Sequence, residues 1–194
     1  MDVRTLDEAA PSTVQSLAVG TFDGLHRGHR EILGNALGDA TGTKRRAGIV
    51  TFEPDPVLFF RSTSVTARRI LTRYDKIAIL EKLGFDVMYE IQFDEDFAST
   101  SPKEFVEAIL LDRLRAGSVH VGFNFRFGSK RKGDTEQLQE LLQDHGANLT
   151  VQEPVDVGGE TVSSSRIREL IRDGHVEEAR RLLGRPYIAY EVLR

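Results

Sequence analysis

Residues 16–29 read Ser16-Leu17-Ala18-Val19-Gly20-Thr21-Phe22-Asp23-Gly24-Leu25-His26-Arg27-Gly28-His29. The run opens apolar, passes through a glycine-rich turn and ends where a helix begins. Ser16–Gly20 fits a short buried strand, and Arg30–Leu37 fits the helix that follows. A strand that feeds a turn and then a helix is the first half of a parallel α/β unit.

The pattern repeats outward from there. Ala47–Phe52, Asp86–Ile91, Ser118–Gly122 and Leu149–Gln152 read as further strands. Tyr74–Leu83 carries Ile77, Leu80 and Leu83 at helical spacing, with Gly84 as a stop. Ser101 reads as an N-cap with Pro102 first in the helix and Glu104 closing a capping box. Behind it, Phe105, Ile109 and Leu114 share a face. Thr135–Asp144 is a helix, and Ser165–Arg172 and Val176–Leu183 are two more, split by Asp173-Gly174. This alternation predicts a parallel sheet of about five strands covered by helices on both faces. Such sheets bind ligands beyond the carboxyl ends of their strands. The polar, glycine-rich segments fall after strands one, two and four, which predicts one cleft there. The connection 53–73 is too long for a plain turn, and loops of that length are commonly functional.

Composition narrows the class. The chain has 194 residues, 40% hydrophobic and 29% charged, enough for one domain with a real core. It lacks cysteine, which excludes disulfides, thiolate metal sites and cysteine nucleophiles and fits a reducing cytoplasm. Net charge is −4, so the basic footprint of a nucleic-acid backbone binder is missing. No apolar run approaches a bilayer-spanning length, so no membrane partner is expected. The opening MDVRTLDEAAPST is polar and acidic, unlike a signal or transit peptide.

Four segments carry candidate chemistry. In the opening stretch Gly24 permits a tight turn, and Gly28 lets a ligand approach the backbone. A helix N-terminus there presents free N–H groups and a positive dipole end. His26 and His29 lie three apart and can share a face, aiming imidazole N–H groups at a polyphosphate. A glycine turn with two surface histidines is the bland reading of the same residues. The second segment is Ser163-Ser164-Ser165-Arg166-Ile167-Arg168. One serine, Ser164 or Ser165, is expected to cap the helix; three exceed what capping needs. Arg166 and Arg168 do not share a helical face, so one of them is expected in the site, where arginine suits phosphate. Two such helix starts would clamp a triphosphate.

The third segment is Val121-Gly122-Phe123-Asn124-Phe125-Arg126-Phe127-Gly128, followed by the basic run 129–132. Aromatics at period two fit one face of an extended strand equally well, but their place after Gly122 puts them at the cleft. There Asn124 can bond the edge of a heteroaromatic ring. The basic run reads as a solvated loop or an approach to phosphate. The fourth is Thr51-Phe52-Glu53-Pro54-Asp55-Pro56-Val57-Leu58-Phe59-Phe60. Phe59 and Phe60 fit ring stacking and core packing equally. The spacing of Glu53 and Asp55 supports no metal site. His120, His145 and His175 read as structural.

The blocks GTFDGLHRGH, TFEPDP, VGFNFRFG, SSSRIREL and LLGRPY, in this order between about Ser16 and Tyr187, resemble the N-terminal module of the bacterial bifunctional riboflavin kinase/FMN adenylyltransferase (FAD synthetase) family. The resemblance implies the Rossmann-like nucleotidyltransferase fold over residues 1–187, with 188–194 a tail where the kinase module would begin. It implies that ATP, accompanied by Mg²⁺, and FMN are substrates, with FAD and pyrophosphate as products. ATP would be held by Gly20, Phe22, Asp23, Gly24, His26, Gly28, His29, Ser163, Ser164, Ser165 and Arg166. FMN would be held by Asn124, Phe125, Arg126, Phe59 and Phe60. His26, His29, Ser164 and Arg168 would be the catalytic set, with no metal bound by protein side chains alone. Two departures stand out. The family reads T-F-x-P-H-P where this chain has Asp55, a carboxylate that could repel phosphates or help hold Mg²⁺. The family also continues past L-G-R-P-Y into a β-barrel kinase module, whereas this chain stops at Arg194, which predicts FAD formation without riboflavin phosphorylation. A nucleotidyltransferase of the same fold with another acceptor, or a flavin- or nucleotide-binding module that has lost turnover, are the rival readings.

Overall fold

The structure, a computed structural model, describes residues 1–60 and 69–187. Its centre is a fully parallel six-stranded sheet in the order β1-β4-β3-β2-β5-β6. The strands are β1 (Asp2–Thr5), β2 (Gln15–Val19), β3 (Arg46–Glu53), β4 (Val87–Gln92), β5 (Ala116–Gly122) and β6 (Asn148–Gln152). The expected count of about five is corrected to six. The additional strand, β1, pairs Asp2–Thr5 with Val87–Glu90 at the sheet edge. Its four residues are mostly exposed and polar, so it joins through backbone bonds and leaves no apolar alternation to read.

The two faces of the sheet are sorted by residue parity, as the pleat requires. Leu17 and Val19 of β2 and Val87, Tyr89 and Ile91 of β4 point into one core. Ala18 and Met88 point into the other. The first core is covered by a helix over Pro102–Glu104 that continues to Arg113 (α5) and by α6 (Thr135–Gln143). The second is covered by α1 (Arg27–Thr43) and α3 (Arg73–Leu83). Between them in sequence lie the short helices α2 (Pro56–Phe60) and α4 (Glu95–Ser99). After β6 come a hairpin, β7 (Asp156–Val157) with β8 (Glu160–Thr161), and the helices α7 (Ser164–Arg172) and α8 (Val176–Leu183), which form a small third core around Ile167, Leu170 and Leu182.

Caps fix two helix ends as the sequence predicts. Ser101 accepts the Glu104 N–H at 3.1 Å, with Pro102 first in the helix. Gly84 ends α3 in the left-handed region at φ 98°. Two expectations change. From Phe105 to Arg113 the helix is π-type, and the Leu114 N–H reaches back five residues to the Ile109 carbonyl at 2.9 Å. That wider turn buries Phe105, Leu110 and Leu114 and leaves Ile109 only partly covered, so the face drawn at 3.6-residue spacing is displaced. Helix α1 begins at Arg27, three residues before the expected Arg30.

Strand β2 is the topological switch point. The chain moves from it to β3 and β4 on one side and returns to β5 and β6 on the other. At such a point the connections diverge and open a crevice at the carboxyl ends. The histidine turn after β2 lies there. None of the described helices is long and apolar enough to cross a membrane.

Candidate active site

The crevice is a cleft of about 390 Å³ over the carboxyl ends of β2, β3, β5 and β6. Gly20, Phe22, His26, Gly28 and His29 line it from the turn after β2. Ser163, Ser164, Ser165 and Arg168 line it from the start of α7. Asn124, Phe125 and Arg126 form the rim after β5, and Asp55 with Val57 the rim after β3. The two helix starts therefore face the same space, as the clamp expectation requires.

Each start is built differently. At α1 the N-cap is His26 itself: its Nδ1 accepts the His29 N–H at 3.2 Å. That bond leaves the neutral ring's proton on Nε2. The two imidazoles stack with centroids 3.6 Å apart and planes 16° from parallel, and Phe22 meets His29 edge-on at 5.3 Å. Burial pushes His26 down to about 4 and holds His29 well below the ordinary histidine range. Burial thus favours the neutral form of both rings at pH 7, dipolar groups rather than cations. His29 Nδ1 is buried without a hydrogen-bond partner among the described residues.

At α7 the N-cap is Ser163, whose Oγ accepts the Arg166 N–H at 3.2 Å. The expectation of Ser164 or Ser165 is corrected by one residue, because Ser163 keeps an extended backbone and the helix begins at Ser164. Ser164 instead donates to the Asp23 carbonyl at 2.8 Å. Arg168 is the arginine on the cleft, donating to Asp23 Oδ2 at 2.7 Å. Arg166 points elsewhere, paired with Glu160 and Glu169.

Asp23 is the knot between the two starts. It is 3% exposed and accepts the Ile70 N–H at 3.0 Å as well as the Arg168 guanidinium. It lies behind the cleft wall, as does Gly24, both of which the sequence reading put against ATP. Gly24 sits at φ 88°, and a Cβ there would come within 3.1 Å of Ile70. Its role is the turn itself. Arg185, from the LLGRPY block, donates to the Gly24 carbonyl at 2.9 Å and braces the turn from behind.

On the other rim, the strand ends at Gly122 and Asn124 is exposed at the cleft. Phe125 and Phe127 stack with centroids 5.5 Å apart, and Phe127 is buried. The period-two aromatics are therefore a turn that plugs the core rather than a strand face. Arg126 bonds Asp134 at 3.0 Å. Phe59 and Phe60 do not line the cleft. They pack against Phe93 at 5.3 and 5.8 Å, and Phe60 is 69% exposed. Most of the long connection beyond them, 61–68, lies outside the described residues.

Asp55 lines the cleft at 7% exposure, its Oδ1 accepting the Val57 N–H at 2.8 Å. His120 is structural as expected, 3.0 Å from the Ser16 hydroxyl beneath α1. Lys76 was missed. It is partly buried, and its ammonium donates to the Thr21 carbonyl at 2.8 Å. Burial pushes its pKa down. The available signal was a lysine four residues before the buried Leu80, on the inward stripe of α3. Gln152 and Pro154, on the β6 rim, were also missed, because a polar strand end carries no pattern.

The model of the FAD synthetase family matches residues 9–166. This chain belongs to the FAD synthetase family. Its FAD synthetase relatives include the bifunctional riboflavin kinase/FMN adenylyltransferases of Escherichia coli, 33% identical over 92% of this chain and 56% of that protein, and of Bacillus subtilis, 34% identical over 88% and 54%. That of Pseudomonas fluorescens is 36% identical over 90% and 56%. The chain thus spans just over half the length of these relatives. A solved structure described as a macrolide-efflux protein from Streptococcus pneumoniae superposes with a TM-score of 0.86 at 26% identity, covering 96% of this chain and 63% of that one. The matched region contains both helix starts, the knot at Asp23 and the Asn124 rim.

Proposed function

We propose that this chain, over residues 1–187, transfers the adenylyl group of ATP to FMN, giving FAD and pyrophosphate. The observation that carries the reading is the convergence of two helix N-termini on one cleft at the switch point, in a chain of the FAD synthetase family.

An FMN phosphate oxygen attacks the ATP α-phosphorus in line, and the bond to the β-phosphate breaks as pyrophosphate leaves with the electron pair. A phosphate monoester has a second pKa of about 6, so the nucleophile is already ionised at pH 7 and needs no general base. The protein's work is alignment and stabilisation of the charge gathering on pyrophosphate. His26 and His29 supply neutral N–H donors, Ser163, Ser164 and Ser165 open a helix dipole toward the phosphates, and Arg168 adds the cation. Mg²⁺ fits this site: it takes one or two carboxylates with substrate phosphates and water, and Asp55 stands on the lining. When bound it would neutralise phosphate charge. Asn124, Phe125 and Arg126 would receive the flavin, with Phe59 and Phe60 as an apolar ledge on the same helix as Val57.

Incubation with ATP, Mg²⁺ and FMN followed by chromatography is expected to yield FAD and pyrophosphate in equal amounts. ATP binding with FMN left unconverted would replace this reading with a binding module. Asn124→Ala is expected to weaken FMN binding about tenfold, the loss of about one hydrogen bond. Equal affinity by flavin fluorescence quenching would remove Asn124 from the flavin site.

A further inference from the structure

We infer that Asp55 is the protein's own contact for the divalent cation that travels with ATP, and that it makes nucleotide binding in this cleft depend on that cation. The inference rests on the reading of the cleft as an ATP site. The carboxylate lines the cleft from the β3 side, close after the strand, and is almost wholly buried. Its Oδ1 is pinned by the Val57 N–H, the single hydrogen bond to this side chain among the described residues. The neighbouring cations are committed elsewhere: Arg168 bonds Asp23, and Lys76 bonds the Thr21 carbonyl. Burial pushes the Asp55 pKa up and Asp23 adds to it, opposed by the Val57 N–H and, through space, by the charges of Arg168 and Lys76.

Glu153 is the other acidic side chain on the lining. It is exposed and follows β6, three strand positions from β3, too far to share an ion with Asp55. The histidines opposite are neutral, so they do not offset the carboxylate. A polyanionic triphosphate entering without metal would meet the Asp55 carboxylate in a poorly solvated wall. A hydrated Mg²⁺ on the phosphates reverses that sign, and one carboxylate is the share of protein ligands that Mg²⁺ commonly takes in such sites. The cleft therefore selects the metal-loaded nucleotide.

The test is ATP binding by isothermal titration calorimetry, without FMN, in Mg²⁺ and in EDTA. Wild-type protein is expected to bind Mg²⁺-loaded ATP at least tenfold more tightly than metal-free ATP. Asp55→Asn keeps an oxygen to cap Val57. It is expected to tighten metal-free binding at least threefold, weaken metal-loaded binding at least threefold and so lower the ratio about tenfold. Asp55→His is expected to behave likewise. A ratio within twofold of wild type in either variant overturns the inference. So does equal affinity for the two forms in wild-type protein, a measurement that needs no variant. Absence of ATP binding in both conditions overturns it together with the reading of the cleft. Metal-dependent ATP binding without FAD formation would remove the proposed transfer and leave the Asp55 contact standing.

Discussion

The starts of α1 and α7 face the same cleft by different means. At α1, capping and cleft-lining are vested in one residue, His26, whose ring is stacked on His29 and whose acceptor nitrogen is consumed by the turn. At α7 the tasks are divided: Ser163 caps, Ser164 ties the helix to the Asp23 carbonyl, and Arg168 both faces the cleft and grips the Asp23 carboxylate. The first start is a rigid aromatic block held by burial. The second is a hydroxyl and guanidinium array held by its bonds to the first. The lesson is directional. α7 reaches its place through Asp23 of the turn preceding α1, so damage at Asp23 or Arg168 should disturb both starts, and damage at Ser163 only one.

The largest effect is expected at the tie. Arg168→Ala leaves the buried Asp23 carboxylate without its guanidinium, and breaking such a pair costs about 3–5 kcal/mol. Thermal or urea unfolding should show that loss together with collapse of turnover; unchanged stability would mean the starts are placed independently. His29→Ala should preserve the fold and FMN binding while lowering kcat about 10²–10³-fold, the scale of one donor lost from a developing anion. Unchanged kcat in steady-state assays would take the α1 start out of the phosphate site.

Acid should separate the two starts next, since only α1 carries titrating rings. His26 has its folded pKa near 4 against 6.5 for the free side chain. The unfolded chain therefore binds more protons in between. The stability linked to this ring is complete above pH 6.5 and is lost as pH falls toward 4, by about 3 kcal/mol. Unfolding measured across that window should steepen in the wild type and flatten in His26→Asn. A parallel pH dependence in the two proteins would show that the ring is not held neutral by burial. The smallest effect is expected from Ser163→Ala, about 1 kcal/mol for a lost cap, with kcat nearly unchanged. A turnover loss as large as that of His29→Ala would mean that capping and catalysis are joined at α7 as well.

Much of this was legible in the chain. Alternation of apolar runs with amphipathic stretches fixed an α/β parallel sheet, because buried parallel strands and covering helices leave opposite periodicities. Glycine and serine placement marked both helix starts and the cleft between them. What escaped was of a different kind. β1 escaped because a polar edge strand joins through backbone pairing and leaves no apolar alternation to read. The π-type turn displaced Ile109 from the inner face because helix type depends on packing. That Asp23 and Gly24 stand behind the lining escaped because a conspicuous turn looks alike whether it faces a cleft or supports what does. Phe59 and Phe60 turned to Phe93 because an aromatic pair takes the nearest rings.

By itself, then, the sequence determined the layer architecture, the end of the sheet that opens and the residue types that meet there, since periodicity and capping are local and act through neighbouring residues. Tertiary structure alone decided which of Arg166 and Arg168 enters the cleft, that Asp23 binds the two starts together, that Asp55 stands buried on the wall and that His26 and His29 are uncharged. Those properties depend on burial and on partners from distant parts of the chain, and neither exists until the sheet has brought them together.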